Sequence, residues 1–379
     1  MEPAQFEDGP GEIVPYDGVP CFNPTGLPPE FTITTEILDA HGTAMRSLGR
    51  LSTLHNHIGN ENLLLAPFAV REAAMSSQIE GTSVTVSDIV LHEPDTEPDQ
   101  SATTDRDIRE AYNYVDAIST GFDHLREGGS IDRELICQLH ESLLVDVRGE
   151  SKKPGEIRNT PVIIGPTTDP KDAQFIPSNP NHVSLLLDQL LAYNRMDNYP
   201  ALIDIILSHY QFETIHPFRD GNGRLGRLLI MLQLHEAELL EEPYLYLSSY
   251  FNRNRNDYFR LLNRVSREGA WEDWILFGLR AIEQQARDAY DCGRELIALR
   301  EAYQETYDQS PAVRDVITHL FEEPYLKPTR AIEATDRPSQ TIYKVLDRLE
   351  SDGVIREITG KKRGKVYRAP EILAIVERP

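Results

Sequence analysis

His216-Pro-Phe-Arg-Asp-Gly-Asn-Gly-Arg-Leu-Gly-Arg227 is the stretch that decides how this chain is read. Its centre, Asp220-Gly221-Asn222-Gly223-Arg224, is a turn that runs into an amphipathic helix bearing Leu225, Leu228, Leu229, Met231, Leu232 and Leu234. Glycines at a helix N-terminus leave backbone N–H groups open, and those donors, with the positive end of the helix dipole, make an anion site. Arg224 and Arg227 lie three apart, a spacing that lets both guanidinium groups project from the first turn toward one anion. Asp220 stands where a carboxylate would hold a Mg²⁺ that bridges phosphate oxygens. His216 is the one group in the stretch that takes a proton near neutral pH. Base, metal ligand, amide cradle and two arginines together point to phosphoryl or nucleotidyl transfer.

The stretch is similar to the signature of the Fic family, His-x-Phe-x-Asp/Glu-Gly-Asn-Gly-Arg-x-x-Arg, at every fixed position. A glycine-rich turn whose histidine merely packs in a core would not also ask for the aspartate and both arginines. The resemblance implies a mainly α fold over roughly residues 30–300, a Fic-type helical bundle with a small β-hairpin flap. It implies a protein adenylyltransferase that uses ATP and Mg²⁺. Asp220 would hold the metal, and the nucleotide would lie on Gly221, Asn222, Gly223, Arg224, Leu225, Gly226 and Arg227, with Arg227 at the γ-phosphate. His216 would take the proton from a Ser, Thr or Tyr hydroxyl of a target protein, or of the chain itself. Relatives that act as kinases typically carry lysine where this chain has Gly223, so Gly223 favours AMP transfer over phosphate transfer.

A second pattern, Ser76-x-x-x-Glu80-Gly81, resembles the inhibitory motif of the same family. Alone it is a weak signal, and a solvated glutamate at a helix end reads the same way. Beside a complete Fic motif it implies that Glu80 pairs with Arg227 and takes the place of the γ-phosphate. In some relatives that glutamate supports AMP removal, which leaves a bifunctional enzyme as an open alternative. The β-prone run Ile157–Gly165, followed by Phe175-Ile176-Pro177, resembles the flap, with Ile163 assigned to the nucleotide site. A hairpin edge there would align a target segment by main-chain pairing; an ordinary surface hairpin is the alternative.

Taken in order, the chain begins with a Pro- and Gly-rich lead-in over 1–34, read as extended and partly ordered. Helices are expected at about 35–57 and 67–79, the second ending at Glu80-Gly81 with the glycine as C-cap. An acidic, Pro-interrupted loop at 92–104 precedes helices at 104–126, 131–145, 180–195 and 200–214. After the motif helix come a segment at 252–265, whose Tyr258 and Phe259 are candidates for the adenine border or for the core, and a long helix over 270–306 that a break would interrupt. Residues 310–379 read as a winged helix, with helices at 313–322, 329–334 and 339–351 and strands at 354–356 and 365–368. The turn Lys361-Lys362-Arg363-Gly364-Lys365 and a third helix carrying Gln340, Tyr343, Lys344 and Arg348 suit duplex DNA. The net charge of that unit, 13 Lys+Arg against 11 Asp+Glu, is small enough to leave protein contact, dimerisation included, equally open. The division expected is therefore 1–100 for the N-terminal helical region with the inhibitory helix, 101–306 for the catalytic domain and 310–379 for the winged helix.

The whole chain of 379 residues carries a formal charge of −23, with arginine far in excess of lysine. Such a balance fits an acidic protein of a salt-rich cytoplasm as well as an ordinary acidic one. No apolar run approaches the ~20 residues of a membrane helix, and the acidic N-terminus lacks the pattern of a secretory leader. Cys21, Cys137 and Cys292 are odd in number and far apart, which argues against a disulfide framework or zinc site and for a reducing cytoplasm. A competing class is a transcription regulator in which the nucleotide domain is a sensor and the winged helix its output; the intact His216 favours chemistry.

Overall fold

The structure, a computed structural model, describes residues 1–54, 62–91, 103–147, 152–360 and 364–378. Three expectations fall outside these residues: the end of the first helix beyond Leu54, most of the acidic loop, and Lys361–Arg363 of the basic turn.

Helix α7 (Ala201–Ile215) is the centre of the fold because apolar side chains run along most of its circumference. Twelve of its residues, from Leu202 to Ile215, are buried, so neighbours cover it on every side. Helix α8 (Asn222–Glu236) follows the motif turn and is buried almost as completely, packing against α7. Helices α4 (Thr103–Arg126) and α5 (Arg133–Leu143) lie against α8, and α6 (Pro180–Tyr193) against α7. Helix α1 (Thr35–Ser52) runs along α11 (Trp271–Thr306), which continues for 36 residues without interruption. The mainly helical architecture expected from the sequence is the one observed.

Helix α2 (Asn62–Ile79) packs on α4, on α8 and on α9 (Ser248–Arg253). It stops where expected, Gly81 adopting φ +97° just beyond its end. The short helix α3 (Val86–Leu91) and the helix α10 (Arg255–Glu268) complete this part of the chain.

Two stretches depart from the expectations. The lead-in is not loose: residues 3–6 form a 3₁₀ turn, and β1 (Gly11–Tyr16) pairs with β2 (Val19–Pro24) as an antiparallel hairpin. Its turn is Asp17-Gly18, both at positive φ, the dipeptide that two-residue hairpins favour. The expected flap hairpin, in contrast, is closed by a single antiparallel bridge between Ile164 and Phe175. Pro161, Pro166, Pro170 and Pro177 remove ladder donors on both sides of it, so no longer pairing forms. The two stretches support each other, since Phe22 and Phe6 pack on Phe175 and Ile176 and the Phe22 N–H donates to Ile176 O (2.9 Å).

The C-terminal region runs α12 (Pro311–Glu322), β3 (Tyr325–Leu326), α13 (Pro328–Thr335), α14 (Ser339–Ser351), β4 (Arg356–Glu357), β5 (Tyr367–Arg368) and α15 (Pro370–Val376). Its strands form one antiparallel sheet in the order β3-β5-β4. Strand β3 and helix α15 were not anticipated from the sequence, one being two residues long and the other seven. Among the described residues, no helix is long and apolar enough to cross a membrane.

Candidate active site

Helix α7 ends at His216, which caps it in the left-handed conformation at φ 53°. A β-carbon makes that conformation costly, so the surroundings must hold it. Arg158, only 1 % exposed, does so: its Nε donates to His216 O (2.7 Å) and its Nη2 to Ile215 O (3.1 Å) and Ser178 O (2.6 Å). One guanidinium thus satisfies the last carbonyls of α7, where the helix dipole also favours a cation. The His216 ring nitrogen Nδ1 faces Glu213 O at 3.2 Å, which assigns the ring proton to Nδ1 and leaves the lone pair on Nε2. Burial, with Arg158 nearby, pushes the imidazole down to about 4, so at neutral pH it is uncharged and able to accept a proton.

The loop from His216 to α8 is fastened from within. Asn222 is buried and spends its side chain on Phe218, accepting from the Phe218 N–H (2.8 Å) and donating to Phe218 O (2.9 Å). His140 of α5 stacks on the Phe218 ring at 3.7 Å. Its Nδ1 accepts from the Gly155 N–H (2.9 Å), so its Nε2 donates to Asp220 O (2.8 Å). Gly221 takes φ +77° as the N-cap of α8, a conformation that glycine adopts without steric cost. The Leu225 N–H makes the first bond back to the cap, to Gly221 O (3.1 Å), so the amides of Asn222, Gly223 and Arg224 precede the helical ladder.

The two arginines part company. Arg227 is 1 % exposed and reaches the Ser76–Glu80 segment: Nε donates to Ser76 Oγ (3.0 Å), and Nη2 to Ser76 O (2.9 Å) and Glu80 Oε1 (2.8 Å). Arg224 turns the other way and forms a buried ion pair with Glu110 of α4 at 3.1 Å. Spacing of three residues put both on the first turn, but a carboxylate on α4 draws one of them away from the shared anion expected of the pair. Burial alone would raise the Glu80 carboxyl; Arg227, with Arg224 and His216 behind it, holds it below the usual carboxylate range. Beneath them, Glu72 of α2 is buried and takes hydrogen bonds from the Ser248 N–H (2.9 Å) and Tyr114 OH (3.3 Å).

A cavity of about 670 Å³ opens over this arrangement, and Glu80, Glu213, His216, Gly223, Arg227 and Ile164 are among its lining. Tyr258 and Phe259 both border it; Tyr258 lies buried and bonds His209 (2.9 Å), while Phe259 stands at the lip beneath Arg255. The structure therefore brings His216, Gly223, Arg227 and Glu80 to one space. Asp220 and Gly221 sit at the turn beside it, Leu225 is wholly buried in the core, and Gly226 packs against Glu213. Ile163, assigned to the nucleotide from the sequence, and its neighbour Ile164 both pack with the N-terminal hairpin, and of the two it is Ile164 that also lines the cavity.

Arg158, His140 and Glu213 were not singled out in the sequence. Arg158 and His140 act through contacts that only the fold creates. Glu213 left a trace, as the single acidic residue between Asp204 and Asp220.

Comparison with known proteins agrees with this picture. Residues 38–123 match the Fic/DOC family N-terminal region and residues 130–234 the Fic/DOC family. A probable protein adenylyltransferase of Aquifex aeolicus is 33% identical over 144 residues, which are 37% of this chain and 38% of the relative. A protein adenylyltransferase Fic of Nematostella vectensis is 28% identical over 189 residues, 48% of this chain and 38% of the relative. The chain thus spans less than two fifths of the length of these curated relatives. The crystal structure of a Fic family protein from Desulfovibrio desulfuricans superposes with a TM-score of 0.57 at 22% identity, covering 90% of this chain and 98% of that one. Caenorhabditis elegans Fic-1 gives 0.50 at 19% identity, over 69% of this chain and 74% of that one. The two family matches together take in half of the sequence, and the chain belongs to the Fic/DOC family.

Proposed function

We propose that the chain is a protein adenylyltransferase that moves AMP from ATP to a Ser, Thr or Tyr hydroxyl of a target protein or of itself, and that Glu80 restrains it. The observation that carries this reading is the sharing of one cavity by a neutral imidazole, an amide cradle and an arginine engaged by a glutamate. ATP would lay its phosphates over the amides of 222–224, with the γ-phosphate at Arg227. His216 Nε2 takes the hydroxyl proton, the oxygen bonds to the α-phosphorus, and the bond from that phosphorus to the bridging oxygen breaks as pyrophosphate leaves. The protein aligns the groups and offsets charge.

Asp220 fits a magnesium ion: one of its oxygens accepts the Gly221 N–H (2.7 Å), and the carboxylate stands beside the cradle. Mg²⁺ needs only one or two carboxylates besides phosphate oxygens and water. It would supply neutralisation of phosphate charge. Glu80 competes with the γ-phosphate for Arg227, which would leave the α-phosphate of a bound nucleotide misaligned; removal of AMP by the same glutamate is the other activity this arrangement suits.

We read 311–376 as a winged helix, on the strength of its helix order and its three-stranded sheet. Tyr343 is half exposed on α14, a surface that suits a protein partner, a second copy or DNA. The three cysteines are free thiols, as a reducing cytoplasm would keep them. A nucleotide-sensing transcription regulator is the second reading. It has no use for a base, so incubating Glu80→Gly and Glu80→Gly/His216→Ala proteins with ATP separates the two: AMP on the first and none on the second is expected, and equal behaviour would refute the enzyme.

A further inference from the structure

Among the described residues that line the cavity, Glu80 and Glu213 are the two carboxyl groups, and the transfer chemistry above gives Glu213 no task. It is half-buried on the floor, one turn before His216 on α7. Its Oε1 is shut off from solvent and has no hydrogen-bond partner. That oxygen lies against α8, where a β-carbon on Gly226 would come within 2.4 Å of it. Gly226 is thus the residue that makes room for the carboxyl. An acceptor buried without a donor is costly for an ionised carboxylate and much less so for a carboxylic acid.

The charges around it point the same way. Arg227 faces it from α8, Glu80 from the segment after α2, and Tyr258 from α10; His209 and His216 share its own helix. Arg227 directs its Nε and Nη2 donors to Ser76 and Glu80, and its guanidinium also interacts with Tyr258. Both histidines are pushed far below neutrality and are uncharged at pH 7. Burial is the larger influence on Glu213, Glu80 adds to it and Arg227 opposes both; together they push the carboxyl up to about 7. A phosphate chain arriving beside Arg227 brings more negative charge than the glutamate it displaces, which favours the proton further.

We propose that Glu213 is a nucleotide-contacting residue that meets the bound nucleotide as a carboxylic acid, its O–H donating to the ligand, so that filling the site takes up one proton from solvent. This rests on the nucleotide-site reading and adds to it a residue outside the signature and a proton outside the reaction.

Titration calorimetry of the full chain with MgATP, at pH 7.5 in buffers of different ionisation enthalpy, counts that proton. The wild type is expected to take up a measurable fraction that Glu213→Gln lacks, because the amide keeps the donor and cannot titrate. Between pH 6.5 and 8 the wild-type Kd should weaken several-fold while that of Glu213→Gln stays flat, with equal circular dichroism showing both folded. Equal proton uptake by the two proteins, or none by either, overturns the proposal with the nucleotide site intact. Absence of MgATP binding to the folded wild type removes the site itself and the role of Glu213 with it.

Discussion

Glu80 Oε1 accepts a hydrogen bond from Arg227 Nη2 at 2.8 Å, joining residues 147 positions apart in the chain. A β-carbon on Gly223 would lie 2.2 Å from the same oxygen, so the pair forms because position 223 has no side chain. The glycine that opens the amide cradle is thereby also the one that admits the glutamate. Arg227 is buried, and its Nε and Nη2 are engaged by Ser76 and Glu80, so the proposed γ-phosphate and Glu80 would compete for one guanidinium edge. Glu80 is partly open to solvent, and screening there makes the pair weaker than a fully buried charge-assisted bond.

Acid should unfold the protein through its buried histidines. Burial pushes His140 and His216 down to about 4 and His209 to about 3, against an ordinary value of 6.5. In that interval the unfolded chain binds more protons than the folded one, so stability falls as pH falls from 6.5 through about 4. Above pH 6.5 these groups make no difference. Melting curves between pH 7.5 and 5 should show a falling Tm, with a shallower slope for His209→Gln; equal slopes would remove His209 from this account.

Arg158 should matter for both stability and rate. Replacing it with methionine leaves the buried carbonyls of Ile215, His216 and Ser178 without their donor, at a cost of about 3 kcal/mol or more. The left-handed backbone at His216 then loses its anchor. In the Glu80→Gly background we expect kcat to fall at least about tenfold with KM for ATP little altered, since the cradle amides are untouched. A fall in ATP affinity alone would contradict this role.

Helix α2, which leads to Glu80, is also held by the C-terminal region. Arg71 of α2, buried, donates to Val376 O (3.0 Å) at the end of α15 and to Arg378 O (2.6 Å) just after it, and rests on the Tyr246 ring at 4.3 Å. Nearby, Ser87 donates to Glu377 (2.8 Å) and receives Tyr325 OH (2.9 Å). Arg71→Ala should loosen the segment that carries Ser76 and Glu80, raising basal self-modification several-fold while His216→Ala still silences it. Unchanged basal transfer by a folded Arg71→Ala protein would show that this contact does not bear on restraint.

Much of this is legible in the sequence alone. Local chemistry marks helix ends, as Gly81 did, and a motif that needs a base, an acid and amides in one turn declares itself through spacing. What escaped depends on the third dimension. No spacing rule tells that Glu110 on α4 will claim Arg224, or that Arg158 will reach back to the carbonyls of α7. Ile163 and Ile164 are neighbours of the same residue type, and nothing in the sequence says which of the two reaches the cavity. The N-terminal hairpin is a different case: Asp17-Gly18 was present as a turn signal, but the prolines around it suggested a loose arm.

The central claim is tested most directly by giving the Glu80→Gly protein ATP labelled at either the α- or the γ-phosphorus and reading the label on protein after denaturing separation. The account predicts strong incorporation from the α-label, none from the γ-label, and neither when His216→Ala is added. Incorporation from the γ-label, or α-label incorporation that survives the loss of His216, would contradict it.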